Sequence, residues 1–93
     1  MDFYTIRDIE RNNGENGNAH WIMIKSNVYD ISSYIERHLH PGGNEVLEKY
    51  AGKDVTESFS ALHSDDAWKE LEQFRIGSLK QSLYERLLRY LGF

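Results

Sequence analysis

His40-Pro41-Gly42-Gly43, with His63-Ser64 following after 22 residues have intervened between the two histidines, is the part of this chain whose reading decides its fold. Pro41 biases His40 away from helical dihedrals and removes a backbone donor. Gly42 and Gly43 let the chain turn through conformations closed to other residues. A histidine is thereby presented from a rigid turn, and a second one stands ready in a separate segment. Two neutral imidazoles suffice as protein ligands when a porphyrin supplies the other four nitrogens, so the spacing suggests two imidazoles clamping one haem and leaving its iron no open position.

Working outward, Val28-Tyr29-Asp30-Ile31 precedes the turn, and Ala51-Gly52-Lys53-Asp54-Val55-Thr56-Glu57-Ser58-Phe59 leads to His63-Ser64. Phe74-Arg75-Ile76-Gly77 closes the series. Several blocks in this order, over roughly positions 4 to 79, resemble the cytochrome b5 haem-binding domain. The resemblance implies an α+β fold with a small mixed sheet and short helices forming a haem pocket. It implies His40 and His63 as axial ligands of noncovalent haem b (iron protoporphyrin IX), and one-electron transfer as the activity. Two departures stand out. The run Ile35-Glu36-Arg37-His38-Leu39-His40 is longer than the family's usual approach to the turn and offers His38 as a rival ligand. The loop Ser60-Ala61-Leu62 is shorter than in microsomal members and resembles domains fused to flavin dehydrogenases and fatty-acid desaturases.

The 93 residues make one domain with a modest core, for which a buried cofactor would supply stability. At about 25 cal/mol per Å² of apolar surface removed from water, a macrocycle contributes on the order of 10 kcal/mol before the costs of binding. The chain has no cysteine, which excludes disulfides, zinc-thiolate sites, iron–sulfur clusters and thioether-linked haem. No apolar run approaches the roughly 20 residues that span a bilayer, and Met1-Asp2-Phe3-Tyr4 lacks the character of a signal peptide. The expectation is a soluble, cytoplasmic monomer, membrane-associated only if an anchor has been removed.

Thr5 is a plausible cap for a helix from Ile6 to Arg11, followed by the loop Asn12 to Asn18. Alternation in Trp21-Ile22-Met23-Ile24, then Ser26-Asn27 and Val28-Tyr29, predicts a hairpin. Asp30 or Ser32 can cap a helix through Arg37, and Asn44 can open another, with Val46, Leu47 and Tyr50 on one face and Gly52 ending it. Val55, Phe59 and Leu62 recur at helical spacing before His63, and Asp65 or Asp66 can cap a helix carrying Trp68 and Leu71. These helices would wall an apolar slot over a sheet of the hairpin, the N-terminal strand and the segment Phe74 to Leu79. Residues 1–79 are thus expected to form the haem-binding domain. Leu79, Leu83, Leu87, Leu88 and Leu91 suggest that 80–93 form an amphipathic helix docked on it.

Beyond the two ligands, the expected cofactor contacts are Val46, Phe59, Leu62, Leu71 and Phe74 as apolar walls. By the resemblance, Ser64 would bond a propionate, with a helix-cap role as the competing reading. His20 is expected to serve only as a surface or hydrogen-bonded residue. From Glu45 to Glu72 eight carboxylates face three lysines, a net charge of −5 around both proposed ligands. Such a field steers basic partners and disfavours nucleic acid. The expected function is an electron carrier without substrate turnover, reduced by a flavin-containing reductase and oxidised by a basic-surfaced redox enzyme such as a lipid desaturase or hydroxylase. Two alternatives stand beside it: a non-redox small-molecule or partner-binding module on the same fold, and an electron-transfer domain excised from a larger desaturase or hydroxylase.

Overall fold

The coordinates, a computed structural model, describe residues 2–37, 43–62, 64–80, 87–88 and 90–92, with only the backbone at 60–62. The first helix, α1 (Ile6–Arg11), begins where expected because Thr5 and Asp8 close a reciprocal capping box. The Thr5 hydroxyl accepts from the Asp8 amide at 3.1 Å, and the Asp8 carboxylate accepts from the Thr5 amide at 2.9 Å. Preceding it, β1 (Asp2–Tyr4) forms one edge of a mixed five-stranded sheet.

The predicted hairpin is β2 (Trp21–Ile24) against β3 (Asn27–Asp30), antiparallel, with Trp21 opposite Asp30 and Ile24 opposite Asn27. Its turn is Lys25-Ser26, one residue earlier than the expected break at Ser26-Asn27, because Asn27 is drawn into the ladder. Both turn residues hold positive φ, 50° and 67°, the twist that a two-residue hairpin loop needs. β4 (Lys53–Asp54) adds a parallel edge beside β2, and β5 (Arg75–Leu79) runs between β1 and β3. The order is β1-β5-β3-β2-β4. β4 escaped the sequence reading because two exposed residues carry no alternation to detect.

Both faces of the hairpin are covered, so simple inside–outside alternation gives way to nearly continuous burial. On one side Ile9, Met23 and Val28 pack with Tyr4, Trp21, Ile76 and Leu79. Leu79 therefore ends the sheet segment in which it was expected, and does not belong to the terminal amphipathic helix in which it was also counted. On the other side Ile22, Ile24, Tyr29, Ile31, Ile35, Val55 and Leu71 form the larger core.

Four short helices stand over that larger core: α2 (Ser32–Glu36), α3 (Asn44–Tyr50), α4 (Thr56–Leu62) and α5 (Asp65–Glu72). α2 follows Ile31, which makes no capping bond, while Asp30 Oδ1 accepts from the Ser32 amide at 3.0 Å and so does the capping from one residue further out. The cap of α5 is Ser64, not Asp65 or Asp66, which instead fill its first turn where carboxylates favour the helix dipole. Among the described residues no helix is long and apolar enough to cross a membrane. The expected docking of 80–93 lies largely outside the described residues; Leu87, Tyr90 and Leu91 are exposed.

Candidate functional site

The four helices do not close over the sheet. They leave an apolar slot of about 540 Å³, floored by Ile22 and Ile31 and walled by one face of each helix. α3 contributes Val46, Leu47 and Tyr50, the face its spacing predicts. Val46 is 42% exposed although it is aliphatic, because it faces the slot and not a packed neighbour. α4 contributes Ser58 and Phe59, and Phe59 is backed edge-on by Trp68, with ring centroids 4.3 Å apart. Trp68 is in turn covered by the Lys25 ammonium, 5.3 Å from its ring centre. Leu71, Ala67 and Phe74 complete the far wall, where Tyr34 meets Phe74 edge-on at 5.6 Å.

The polar groups of the slot are few. Ser64, Asp66 and Glu70 lie along one helix start and its next turn. Ser64 Oγ accepts from the Ala67 amide at 3.4 Å, so the helix-cap role is present, and its own hydroxyl proton is left to donate elsewhere. Tyr34 titrates above the ordinary phenol range, chiefly because burial disfavours the phenolate and secondly because Glu70 is near. It stays a neutral phenol at ordinary pH.

Of the expected cofactor contacts, Val46, Phe59, Ser64, Leu71 and Phe74 all line this one slot. The Leu62 side chain, His40, His63 and the rival His38 lie outside the described residues. The residues on either side of them are described. In sequence Tyr34 and Val46 stand on either side of His40, and Phe59 and Ser64 on either side of His63; all four reach the same cavity. Asn44 Nδ2 donates to the Ile35 carbonyl at 2.8 Å, which ties the start of α3 to the end of α2. Tyr34, Leu47, Tyr50 and Glu70 were absent from the expected contacts. Leu47 and Tyr50 had a signal, since they share a helical face with Val46; Tyr34 had one in its i, i+3 relation to Ile31.

A second cleft, about 650 Å³, opens between α1, the end of α3 and β4. Its rim carries Glu10, Glu15, Glu48 and Asp54 with Lys49 and Lys53, and it is far more polar. A flat apolar macrocycle suits the first cavity and not the second. The size, the apolar walls and the flanking of both histidine segments fit a haem in the 540 Å³ slot.

Comparison with known proteins agrees with this geometry. Residues 5–80 match the family described as cytochrome b5-like haem/steroid-binding domain. The chain is 40% identical over 80 residues to cytochrome b5 of Musca domestica, covering 85% of this chain and 57% of that protein. It is also 40% identical over 81 residues to inducible nitrate reductase [NADH] 2 of Glycine max, covering 87% of this chain and 9% of that enzyme. The chain thus spans a small part of the reductases it matches and over half of the cytochrome. Among solved structures, cytochrome b5 of Ostreococcus tauri virus 2 superposes with a TM-score of 0.69 at 32% identity, covering 83% of this chain and 95% of that one. Cytochrome b558 of Ectothiorhodospira vacuolata, at 24% identity and a TM-score of 0.71, shares the fold. With its mixed sheet, its helix-walled slot and a match across residues 5–80, the chain belongs to the cytochrome b5-like haem/steroid-binding domain family.

Proposed function

We propose that this domain is a one-electron carrier holding haem b noncovalently between His40 and His63. The observation that carries the reading is the convergence of the residues flanking both histidines on one apolar slot. Bound there, haem supplies a one-electron ferric/ferrous couple. The protein's own part is to hold and orient it. Val46, Phe59, Leu62, Leu71 and Phe74 exclude water from the ring faces and lower the local dielectric. Ser64, while capping α5, has its hydroxyl proton available for a propionate. His40 and His63 leave no open position for an external ligand, so the domain turns over no substrate of its own.

The donor in this reading is a flavin-containing reductase and the acceptor a basic-surfaced redox enzyme such as a lipid desaturase or hydroxylase. The carrier works as a cytoplasmic monomer, or as one domain of a longer redox enzyme. Relatives in which the match is one segment of an NADH-dependent reductase support a flavin-linked donor. The non-redox small-molecule reading is favoured by no particular residue of the slot's lining.

The test is optical. Titration with haem is expected to give a low-spin spectrum saturating at one equivalent, and the reduced protein is expected not to bind carbon monoxide. His40→Ala and His63→Ala should each abolish the low-spin form, while His38→Ala leaves it intact. Loss on replacing His38 with retention on replacing His40 reassigns the ligand. A protein that takes up no haem at all overturns the carrier.

A further inference from the structure

The loop between α1 and β2 contains two Asn-Gly steps, Asn13-Gly14 and Asn16-Gly17, and the fold treats them very differently. Asn-Gly is the step most open to backbone attack on the asparagine amide, because glycine has no side chain to shield its nitrogen. In that reaction the Gly amide nitrogen gives up its proton to base and bonds to the Asn Cγ. The bond from Cγ to Nδ2 breaks and ammonia leaves. Water then opens the resulting succinimide at either carbonyl, giving aspartate or isoaspartate. Water is the sole co-reactant, and each event adds one negative charge.

At Asn13 the fold occupies both reacting groups. The Gly14 nitrogen donates to the Ala19 carbonyl at 2.8 Å, and Asn13 Oδ1 accepts from the Glu15 amide at 3.0 Å. Asn13 also pairs with His20 in an isolated bridge, and its Cβ is packed beneath Gly52, where an added methyl would lie 2.9 Å away. The His20 imidazole covers Gly14. Ring closure there would break two hydrogen bonds and disturb the packing of β2 against α1.

Asn16 and Gly17 are exposed, and they form the two central positions of a turn closed by a single bond, Asn18 amide to Glu15 carbonyl at 3.0 Å. The Gly17 nitrogen has no backbone partner among the described residues, and nothing stands within 4 Å of the glycine's open side. Asn16 is held at φ 54°, a left-handed conformation that costs a non-glycine residue energy, so opening the turn relieves strain. Local opening of an exposed turn costs far less than global unfolding.

We propose that Asn16 is a site of spontaneous covalent modification, deamidating through a succinimide to aspartate and isoaspartate, while the fold holds the adjacent Asn13 unreactive. None of residues 12–18 lines the apolar slot, so the modified domain keeps its cofactor site while its net charge falls from −4 to −5.

The experiment incubates the folded, haem-loaded protein at mildly alkaline pH and body temperature, with a parallel sample in concentrated urea. Fragmentation of the tryptic peptide 12–25, which holds both steps, locates the mass gain, and chromatography separates the aspartate and isoaspartate forms. In the folded protein Asn16 is expected to convert at least about tenfold faster than Asn13, and in urea the two rates should come together. Asn16→Gln should remove nearly all modification of the folded protein. Equal rates in the folded state, or an Asn16 that stays intact while the urea sample is converted, overturn the proposal.

Discussion

At Gly77 a single hydrogen atom decides whether two strands can meet. β1 runs parallel to β5 with Asp2 opposite Gly77, and a methyl at position 77 would collide with the Asp2 carbonyl and lie 2.8 Å from Tyr4 Cε2. Backbone cannot yield as the tip of a flexible residue can. Gly77→Ala is therefore expected to destabilise by about 1–3 kcal/mol, read as a lower urea midpoint at unchanged slope. A neutral result would mean that β1 does not lie against β5 in solution. At Thr5 the capping box has a pH signature. Asp8 titrates below the ordinary carboxylate range, first through the Thr5 amide, then through the Thr5 hydroxyl. A depressed folded-state value means that this contribution is complete above the unfolded Asp range and fades as pH falls through the lower folded one. Thr5→Ala should cost about 1 kcal/mol near neutrality. The difference between the two proteins should shrink in acid, and an unchanging difference across that window would detach the cap from Asp8. The cap was legible because Thr-x-x-Asp before an apolar position has one economical explanation. Ser64 was less so, since one hydroxyl can accept from an amide and donate to a ligand, and a sequence does not order the two roles.

Among the elements, α4 matters most, because it runs directly to His63 and carries Phe59 into the slot. Its start is pinned to the hairpin. Thr56 Oγ1 accepts from the Lys25 amide at 2.8 Å and donates to Asp54 Oδ1 at 2.6 Å, while that same carboxylate oxygen accepts from the Thr56 amide at 3.0 Å. Thr56→Val keeps the shape and removes the hydroxyl. It should lower stability by about 1 kcal/mol and speed the transfer of haem to an excess of a tighter acceptor, with Thr56→Ser restoring both. Unchanged haem loss would mean that the hairpin does not govern the position of α4. The sequence announced α4 through Val55 and Phe59, as it announced α1, the hairpin and the apolar face of α3. It did not announce β4, because Lys53 and Asp54 are exposed and owe their strand geometry to β2 beside them. It put Leu79 in two places at once, at the end of the sheet segment and at the head of the leucine series, since the Leu at 79 continues the spacing of the leucines after it. Local periodicity marks an element where one face is buried; it fails where a partner strand imposes the conformation or where two patterns overlap.

Across the whole molecule the charge is lopsided: the segment from Glu45 to Glu72, which carries a net −5, also supplies most of the residues that wall the slot. The residues Glu45, Glu48, Asp54, Glu57, Asp65, Asp66, Glu70 and Glu72 are all exposed, and Asp66 and Glu70 also line the cavity. The family resemblance is legible in blocks of motif sequence, whereas this field is legible only as a sum over surface groups, each worth little by itself. Summed, it should act on the rate of encounter with a basic partner more than on the strength of the final contact. Electron transfer from the reduced protein to a small redox protein of net positive charge should therefore slow by about tenfold or more between low and moderately high salt, where screening shortens to about 10 Å or less. Location separates steering from mere net charge. Asp66→Lys and Glu15→Lys change the total equally, but Asp66 lies at the slot and Glu15 at the polar cleft beside α1. Asp66→Lys is expected to slow the reaction at low salt and flatten its salt dependence, while Glu15→Lys leaves both close to the parent. If the two substitutions slow the reaction alike, the protein attracts its partner by overall charge, and the acidic rim around the slot has no directing role.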